Sequence, residues 1–390
     1  MDYVNVMNLS DTSGCGCYRM CFPSWNIRSV LRNVSFVETK RYILDPNFYR
    51  AVRHIMLQRQ VGPQQKEVFE KFFLPLQRQT GLWITYNIDD AIIPADIPKY
   101  NSGWAAYQVP GITENIKFMM CNSDFVVTTT PELKYYFHKR CGVELNRIID
   151  IPNYLPRWWA GESYNADHRR QLYRDNIHKP RIGFSSSSTH FDLENKNCGI
   201  DDFTHIIKFI ESTMHKYQWV FIGAFPLQLE TYIKSKQLEL HPGSDILNFL
   251  RELNDKRLNV LVAPLQDNIF NRCKSNIKLI ESWALGIPVI AQNLPLYSKY
   301  TDLTFNDGND LQNRIDDVLR DEETYMDIIS HNKYIVDYGD THAPNGWWLE
   351  KNSTKWTKLF MLPQKSINID VNTYLQQSPQ NTKSDLKLEI

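Results

Sequence analysis

Residues 260–291 read Val260-Leu-Val-Ala-Pro264-Leu-Gln-Asp-Asn-Ile-Phe270-Asn-Arg272-Cys-Lys274-Ser275-Asn-Ile-Lys278-Leu-Ile-Glu281-Ser-Trp-Ala-Leu-Gly-Ile-Pro-Val-Ile-Ala291. An apolar run ends at Pro264, a polar loop follows, apolar residues then recur at helical spacing from near Asn271, and a second apolar run closes at Ala291. This is the pattern of a buried parallel strand, a loop, a helix and the next strand. In an open sheet of such units, ligands sit at the carboxyl ends of strands against helix N-termini. Arg272, Lys274 and Ser275 fall in that first turn, where cations oppose the helix dipole; their presence there fits an anionic ligand such as a diphosphate. Lys274, Lys278 and Glu281 follow at i, i+4 and i+7 and share one face. Glu281 on that face can accept hydrogen bonds from a ribose diol. Spacing alone is served equally well by a solvated salt-bridge stripe.

Working outward, short apolar runs alternate with amphipathic ones, the signature of βα units. Strands are predicted at Tyr3–Met7, Leu82–Tyr86, Phe125–Thr129 and Ile148–Ile151, then at Arg181–Phe184, Trp219–Ile222, Asn259–Ala263 and Pro288–Ala291. Helices are predicted over Trp25–Arg32, Phe48–Arg59, Gln64–Arg78 and Pro131–Arg140, then over Asp202–Lys216, Ile246–Lys256, Lys274–Leu285 and Asp310–Arg320. The expected organisation is an N-terminal Rossmann-like domain (1–155), a linker (156–180) marked by prolines and lost periodicity, and a second Rossmann-like domain (181–345). A helix within 346–361, bearing Trp347, Trp348, Trp356 and Phe360, is expected to pack back on the first domain. A polar tail (362–390) is expected to be mobile.

Composition narrows the class. The 390 residues are 42% hydrophobic and 23% charged, an ordinary globular balance. Mean hydropathy is −0.44, and no uncharged apolar run approaches the length of a membrane span. The first residues lack the basic and apolar regions of a signal peptide, so a cytoplasmic protein is expected. Forty-four basic residues balance 44 acidic ones, which excludes a globally basic nucleic-acid coat but not a local basic face. Seven cysteines do not make a disulfide scaffold. Cys15, Cys17 and Cys21 crowd one loop but lack a fourth ligand at zinc-finger spacing, so they read as small fillers of a turn.

Two further segments can carry chemistry. Ser13-Gly14-Cys15-Gly16-Cys17-Tyr18-Arg19 follows the first strand; Gly14 and Gly16 allow a close backbone approach to sugar or phosphate, and Arg19 can reach an anion. An ordinary tight turn also explains the glycines. Asp89 and Asp90 follow the strand Leu82–Tyr86, where a carboxylate can take a proton from an acceptor hydroxyl or bind a sugar, or else cap the next turn. Adjacent side chains diverge, so one of the pair is expected to face the cleft. No nucleophile with an adjacent base is evident, and no Asp-x-Asp motif stands at a strand end. No essential metal is expected, with Mg²⁺ able to ride on a diphosphate.

Phe270-Asn-Arg-x-Lys-Ser-x-Ile-Lys-x-x-Glu-x-x-Ala-Leu-Gly-x-Pro-Val resembles the nucleotide-sugar site of retaining GT-B glycosyltransferases, the large family of sucrose, mannosyl and polysaccharide synthesising enzymes. The likeness continues in Arg181-Ile-Gly-Phe-Ser-Ser-Ser-Ser-Thr-His190, Phe221-Ile-Gly223, His241-Pro-Gly-Ser-Asp, Ile151-Pro-Asn153 and Tyr86-Asn-Ile-Asp89-Asp90. It implies a GT-B fold of two facing Rossmann-like domains and transfer from a nucleotide sugar, a UDP-sugar, with retention. The implied donor site comprises Gly14, Gly16, Ser187, His190, Gly223, Arg272, Lys274, Ser275, Lys278 and Glu281. The implied catalytic residues are Asp89, Asp90 and Arg19. The family motif has two glutamates; Glu281 matches the second, which holds ribose, while Cys273 stands where the first belongs and Asn271, Arg272 or Lys274 is expected to compensate. The family's charged phosphate pair is also absent, leaving Ser185–Ser188 and His190, so Arg272, Lys274 and Lys278 are expected to neutralise the diphosphate.

In such enzymes the first domain holds the acceptor. Between residues 28 and 78 there are ten basic residues and four acids, Arg28, Arg50 and Arg53 among the basic ones, a local excess of +6. A polyanionic acceptor fits this face, duplex DNA among them; so does a solvated or lipid-facing surface. The Asn-, Lys- and Ile-rich style resembles phage proteins, and phages glycosylate hydroxymethylated bases with GT-B enzymes, so hydroxymethylcytosine in DNA is the expected acceptor. An envelope polysaccharide or lipid-linked glycan is the alternative, followed by a sugar-nucleotide epimerase or a non-catalytic sugar- or DNA-binding protein.

Overall fold

The computed structural model describes residues 3–160, 164–192 and 200–365. Its first sheet comprises β1 (Tyr3–Asn8), β2 (Val34–Thr39), β3 (Val52–Gln58), β4 (Trp83–Asn87), β5 (Phe125–Thr128) and β6 (Ile148–Asp150), in the order β2-β1-β3-β4-β5-β6. The second comprises β7 (Arg181–Ser186), β8 (Gln218–Gly223), β9 (Glu239–His241), β10 (Val260–Ala263), β11 (Val289–Gln292) and β12 (Thr304–Phe305), in the order β12-β11-β10-β7-β8-β9. Every pairing is parallel. This is the expected α/β class, two doubly wound sheets. Strand order reverses between β1 and β3 in the first sheet and between β7 and β10 in the second. Ligand crevices form at such switch points, outside the carboxyl ends of the strands.

The eight predicted strands are present, with ends shifted by one or two residues. The segment Phe48–Arg59 is not a helix: after one short turn it is β3, at the centre of the sheet. Its polar residues misled the reading. His54 is fully buried, its ring bridging Asn5 Oδ1 at 3.2 Å and Thr85 Oγ1 at 2.8 Å, so a residue that reads as polar lies inside the sheet.

The segment 156–180, expected as a linker, is partly helical. It holds the helix Ala166–Asn176, whose Asn165 cap accepts from His168 N at 2.9 Å. That helix is pinned by buried Arg169, which donates to the carbonyls of Leu285 (2.9 Å) and Leu258 (3.1 Å) and to Asn254 Oδ1 (2.7 Å). Near the C-terminus, the helix Thr354–Phe360 lies on the first sheet's side: Phe360 meets Phe36 edge-on at 4.9 Å, and Lys355 Nζ donates to Asp150 O at 2.7 Å. The start of the expected tail is held as well. Trp83 Nε1 donates to Pro363 O at 2.7 Å, and Lys365 pairs with Asp124 at 2.5 Å. Residues 366–390 lie outside the described residues. Among the described residues, no helix is long and apolar enough to cross a membrane.

Candidate active site

Loops at the carboxyl ends of both sheets enclose a cleft of about 1140 Å³. One wall comes from the second sheet. After β7, Ser185–Thr189 and His190 line it, and Gly223 ends β8 beside them with φ +89°. A Cβ on Gly223 would stand 2.2 Å from Ser186 O, so only glycine lets these two strand ends touch. The helix Ile277–Ala284 supplies Lys278 and Glu281, and the turn before it supplies Lys274 and Ser275. Lys278 donates to Ser185 O and lies 5.1 Å from the centre of the Phe184 ring. Lys274 Nζ lies 5.2 Å from the Phe270 ring. Ser275 Oγ accepts from Asn153 Nδ2 of the other wall at 3.2 Å.

Glu281 is buried, and its Oε1 accepts from Tyr18 Oη across the cleft at 2.7 Å. Burial pushes its carboxyl up to about 7, and burial pushes the neighbouring Lys278 ammonium down to about 8. The predicted cationic and carboxylate groups at i+4 and i+7 therefore face into the cleft from a desolvated helix face, not outward as a surface stripe.

The opposite wall comes from the first sheet. The Asp11 carboxylate shapes the β1 loop, its Oδ1 accepting from Ser13 N (2.9 Å), Ser13 Oγ (2.5 Å) and Gly16 N (3.1 Å). Gly16 belongs to this turn and not to the cleft: a Cβ would stand 1.9 Å from Asp11 O. Gly14 lines the cleft and has open space where a Cβ would be. Asp89 and Asp90 both line it, although one alone was expected to. Arg59, just past β3, holds both, its Nε 2.5 Å from Asp89 and its other guanidinium edge paired with Asp90. Arg59 has φ +45°, rare for a residue with a side chain, and strain of this kind collects at functional positions.

Cys15, Asp89 and Asp90 hold their ligand atoms within 4.8 Å of one another. Arg59 already occupies both carboxylates, and burial with Asp89 alongside holds the Cys15 thiol protonated. That is the arrangement of an ion pair rather than a cation cage. Cys17 and Cys21 do not join that group among the described residues, and Cys17 Sγ donates to Thr12 O at 3.6 Å.

Three sequence expectations fail on geometry. Arg19 is fully buried and does not line the cleft. Its guanidinium donates to Ile151 O (2.6 Å), Asn153 Oδ1 (3.1 Å), Asn87 Oδ1 (3.2 Å) and Thr128 O (3.3 Å), and lies 5.1 Å from the Trp356 ring. It ties the first sheet's loops together and cannot reach a substrate. Arg272 points away, half exposed and paired with Asp267 at 2.6 Å. Arg28, Arg50 and Arg53 do not line the cleft. Arg53 stands at the amino end of β3, six residues from Arg59, which at about 3.3 Å per residue is about 20 Å from the cleft, and Arg50 ends the short turn before that strand. Arg28 lies in the last turn of the helix Phe22–Val30, paired with Glu38 at 3.4 Å.

Tyr18, Tyr100 and Asp202 carry no signal of a site role in the sequence, Asn271 enters it only as a stand-in for the glutamate missing at Cys273, and Arg59 counts there toward the basic face. Asp202 is fully buried. Its Oδ1 accepts from Gln266 N (2.7 Å), Asn271 Nδ2 (2.8 Å) and Tyr100 Oη (2.8 Å), and its Oδ2 meets His190 Nδ1 at 2.7 Å. Cys273, where the resemblance misses a glutamate, is buried against the first sheet's side, its carbonyl accepting from Thr130 Oγ1 at 3.0 Å.

No protein-family profile and no curated protein match the sequence. Solved structures do match. Anabaena Alr3699/HepE, crystallised with UDP and glucose, aligns at 10% identity and TM-score 0.61 over 93% of this chain and 100% of that one. Its complex with UDP-glucose aligns at 9% identity and TM-score 0.60 over 92% and 99%. A glycosyltransferase from Rickettsia africae aligns at 12% identity and TM-score 0.58 over 97% and 100%. At such identities the likeness is one of fold, and the fold of this chain is that of the GT-B glycosyltransferases.

Proposed function

We propose that this protein is a glycosyltransferase that takes its sugar from a nucleoside diphosphate sugar, a UDP-sugar, bound on the 181–345 side of the cleft, and passes it to a hydroxyl on the 1–155 side. The observation that carries this reading is the convergence of Lys274, Lys278 and Glu281 on one buried cleft wall with the Ser185–Ser188 loop. A carboxylate for ribose hydroxyls and two ammonium groups for phosphate are the groups that such a donor needs. The ammonium charges act most strongly as the diphosphate leaves and its charge grows, in a site shielded from water. The complexes of HepE with UDP, glucose and UDP-glucose support the same class of donor.

The acceptor reading changes with the geometry. The acceptor wall offers Asp89 and Asp90 against one arginine, a poor surface for a phosphate backbone, and the basic residues that favoured duplex DNA lie elsewhere. A neutral, hydroxyl-rich glycan acceptor fits this wall better than hydroxymethylcytosine in DNA. Arg59 holds both carboxylates, so neither is a free base. This favours retention, with the leaving phosphate taking the acceptor's proton.

The test is UDP release from a panel of UDP-sugars, followed by NMR of the product's anomeric configuration with glycan and with hydroxymethylated duplex acceptors. Turnover lost in Lys278→Ala and a retained anomer on a glycan support the reading. Failure of every UDP-sugar to turn over, or transfer to duplex DNA alone, refutes the part concerned.

A further inference from the structure

The His190–Asp202 pair is not explained by a donor site built from Lys274, Lys278 and Glu281. Asp202 Oδ1 already accepts from three donors, one of them Tyr100 from the first sheet's side. Burial works against the Asp202 carboxylate, but the hydrogen bond from His190 and its other donors hold it below its ordinary value. It is therefore ionised and has no proton to give, so His190 Nδ1 must carry the hydrogen between them. That fixes the tautomer: Nε2 is the bare nitrogen, on a ring that lines the cleft, and it makes no hydrogen bond among the described residues. The ring stands edge-on to Phe184, on which Lys278 also rests. Lys274 and Lys278 are the cations acting on it, and Asp202 is the anion. Burial and then Lys274 push the imidazolium down to about 4, so His190 is neutral.

A bare Nε2 between two lysines can only repel a phosphate oxygen. A doubly charged ligand there reverses the field, and Asp202 stands behind the ring to support a second proton. We propose that Asp202 is a positioning residue for His190, and that binding of a nucleoside diphosphate draws one proton from solvent onto Nε2, so that His190 meets the phosphates as an imidazolium beside Lys274 and Lys278. The step makes one N–H bond, and the proton comes from water or buffer. The proposal rests on the donor reading above and supplies a third cation where the family's charged pair is missing.

The test measures UDP affinity by calorimetry between about pH 5.5 and about pH 8 for the wild-type chain, His190→Gln and Asp202→Asn. Glu281, Lys278 and UDP itself also titrate in this range, and they cancel when each variant's Kd is divided by the wild-type value. For His190→Gln, the ratio should grow as pH falls, approaching about tenfold per pH unit, the limit for one linked proton. In buffers of different ionisation enthalpy, the wild type should take up more protons than this variant, by up to one. Asp202→Asn can hand its amide hydrogen to Nδ1, which places the imidazole hydrogen on Nε2 without charge; its ratio should show the same pH slope. A ratio independent of pH, with UDP bound by wild type and His190→Gln, overturns the proposal while leaving the donor reading intact. No UDP binding by the wild type at any pH overturns both. If Asp202→Asn fails to fold, His190→Gln alone decides.

Discussion

Removing the Glu281 carboxylate tests the donor site where its geometry is best defined. Glu281 Oε1 is taken by Tyr18 at 2.7 Å, while Oε2 has no hydrogen-bond partner among the described residues and belongs to a side chain lining the cleft. A charged hydrogen bond to ribose hydroxyls contributes about 1.5–3 kcal/mol. Glu281→Ala should therefore weaken UDP binding by about 10- to 150-fold, at about 1.4 kcal/mol per factor of ten. Glu281→Gln keeps the carbonyl acceptor for Tyr18 but turns an amide donor to the ribose in place of the charged acceptor, so a loss of about 1 kcal/mol, or roughly fivefold, is expected. The two variants also differ in stability. Alanine leaves the Tyr18 hydroxyl buried without its acceptor, which costs about 1–3 kcal/mol, whereas glutamine preserves the contact. Calorimetric titration with UDP, paired with thermal melts, separates the two effects. If folded Glu281→Ala binds UDP as tightly as the wild type, Glu281 does not hold the ribose and the reasoning fails.

Arg272→Ala should leave UDP affinity within about twofold, since an exposed pair with Asp267 contributes little, while Lys278→Ala should lower turnover more than it lowers nucleoside binding; equal losses in both would refute the assignment of phosphate charge. Arg19→Ala should destabilise the fold by at least about 3 kcal/mol in denaturant melts, because four buried acceptors lose a charged donor; a stable variant that merely lost turnover would return Arg19 to the catalytic site. Burial pushes the His54 imidazolium down to about 3, below its ordinary value near 6.5. The unfolded chain then binds more protons between those values, so stability falls as pH drops from about 6.5, by about 1.4 kcal/mol per unit from this residue. His54→Asn should flatten that slope in urea melts at acidic pH, and an unchanged slope would show that His54 is not its source.

Much of the fold was legible because parallel strands buried on both faces read as unbroken apolar runs, as in Val260–Ala263 and Phe125–Thr128. β3 was not, since Arg53 and His54 interrupt its apolar run. The basic face came from a count of charges over residues 28–78, and a count does not record that Arg53 and Arg59 stand at opposite ends of β3. The donor residues could be found because Lys278 and Glu281 share one local helix face and Lys274 stands in the turn just before it. Arg59, Tyr18, Tyr100 and Asp202 act through partners 12 to 263 positions away in the chain, and no helical or strand spacing records such pairs. Arg19 shows the opposite limit: a cation in a glycine-rich loop looks catalytic until its hydrogen bonds can be counted.

A crystal structure of the protein with UDP measures directly where a nucleoside diphosphate binds. Ribose hydroxyls on Glu281 and phosphates between Lys274, Lys278 and the Ser185–Ser188 loop are the predicted result. UDP held elsewhere, or seated in the cleft with its ribose away from Glu281 and its phosphates away from both lysines, would contradict it.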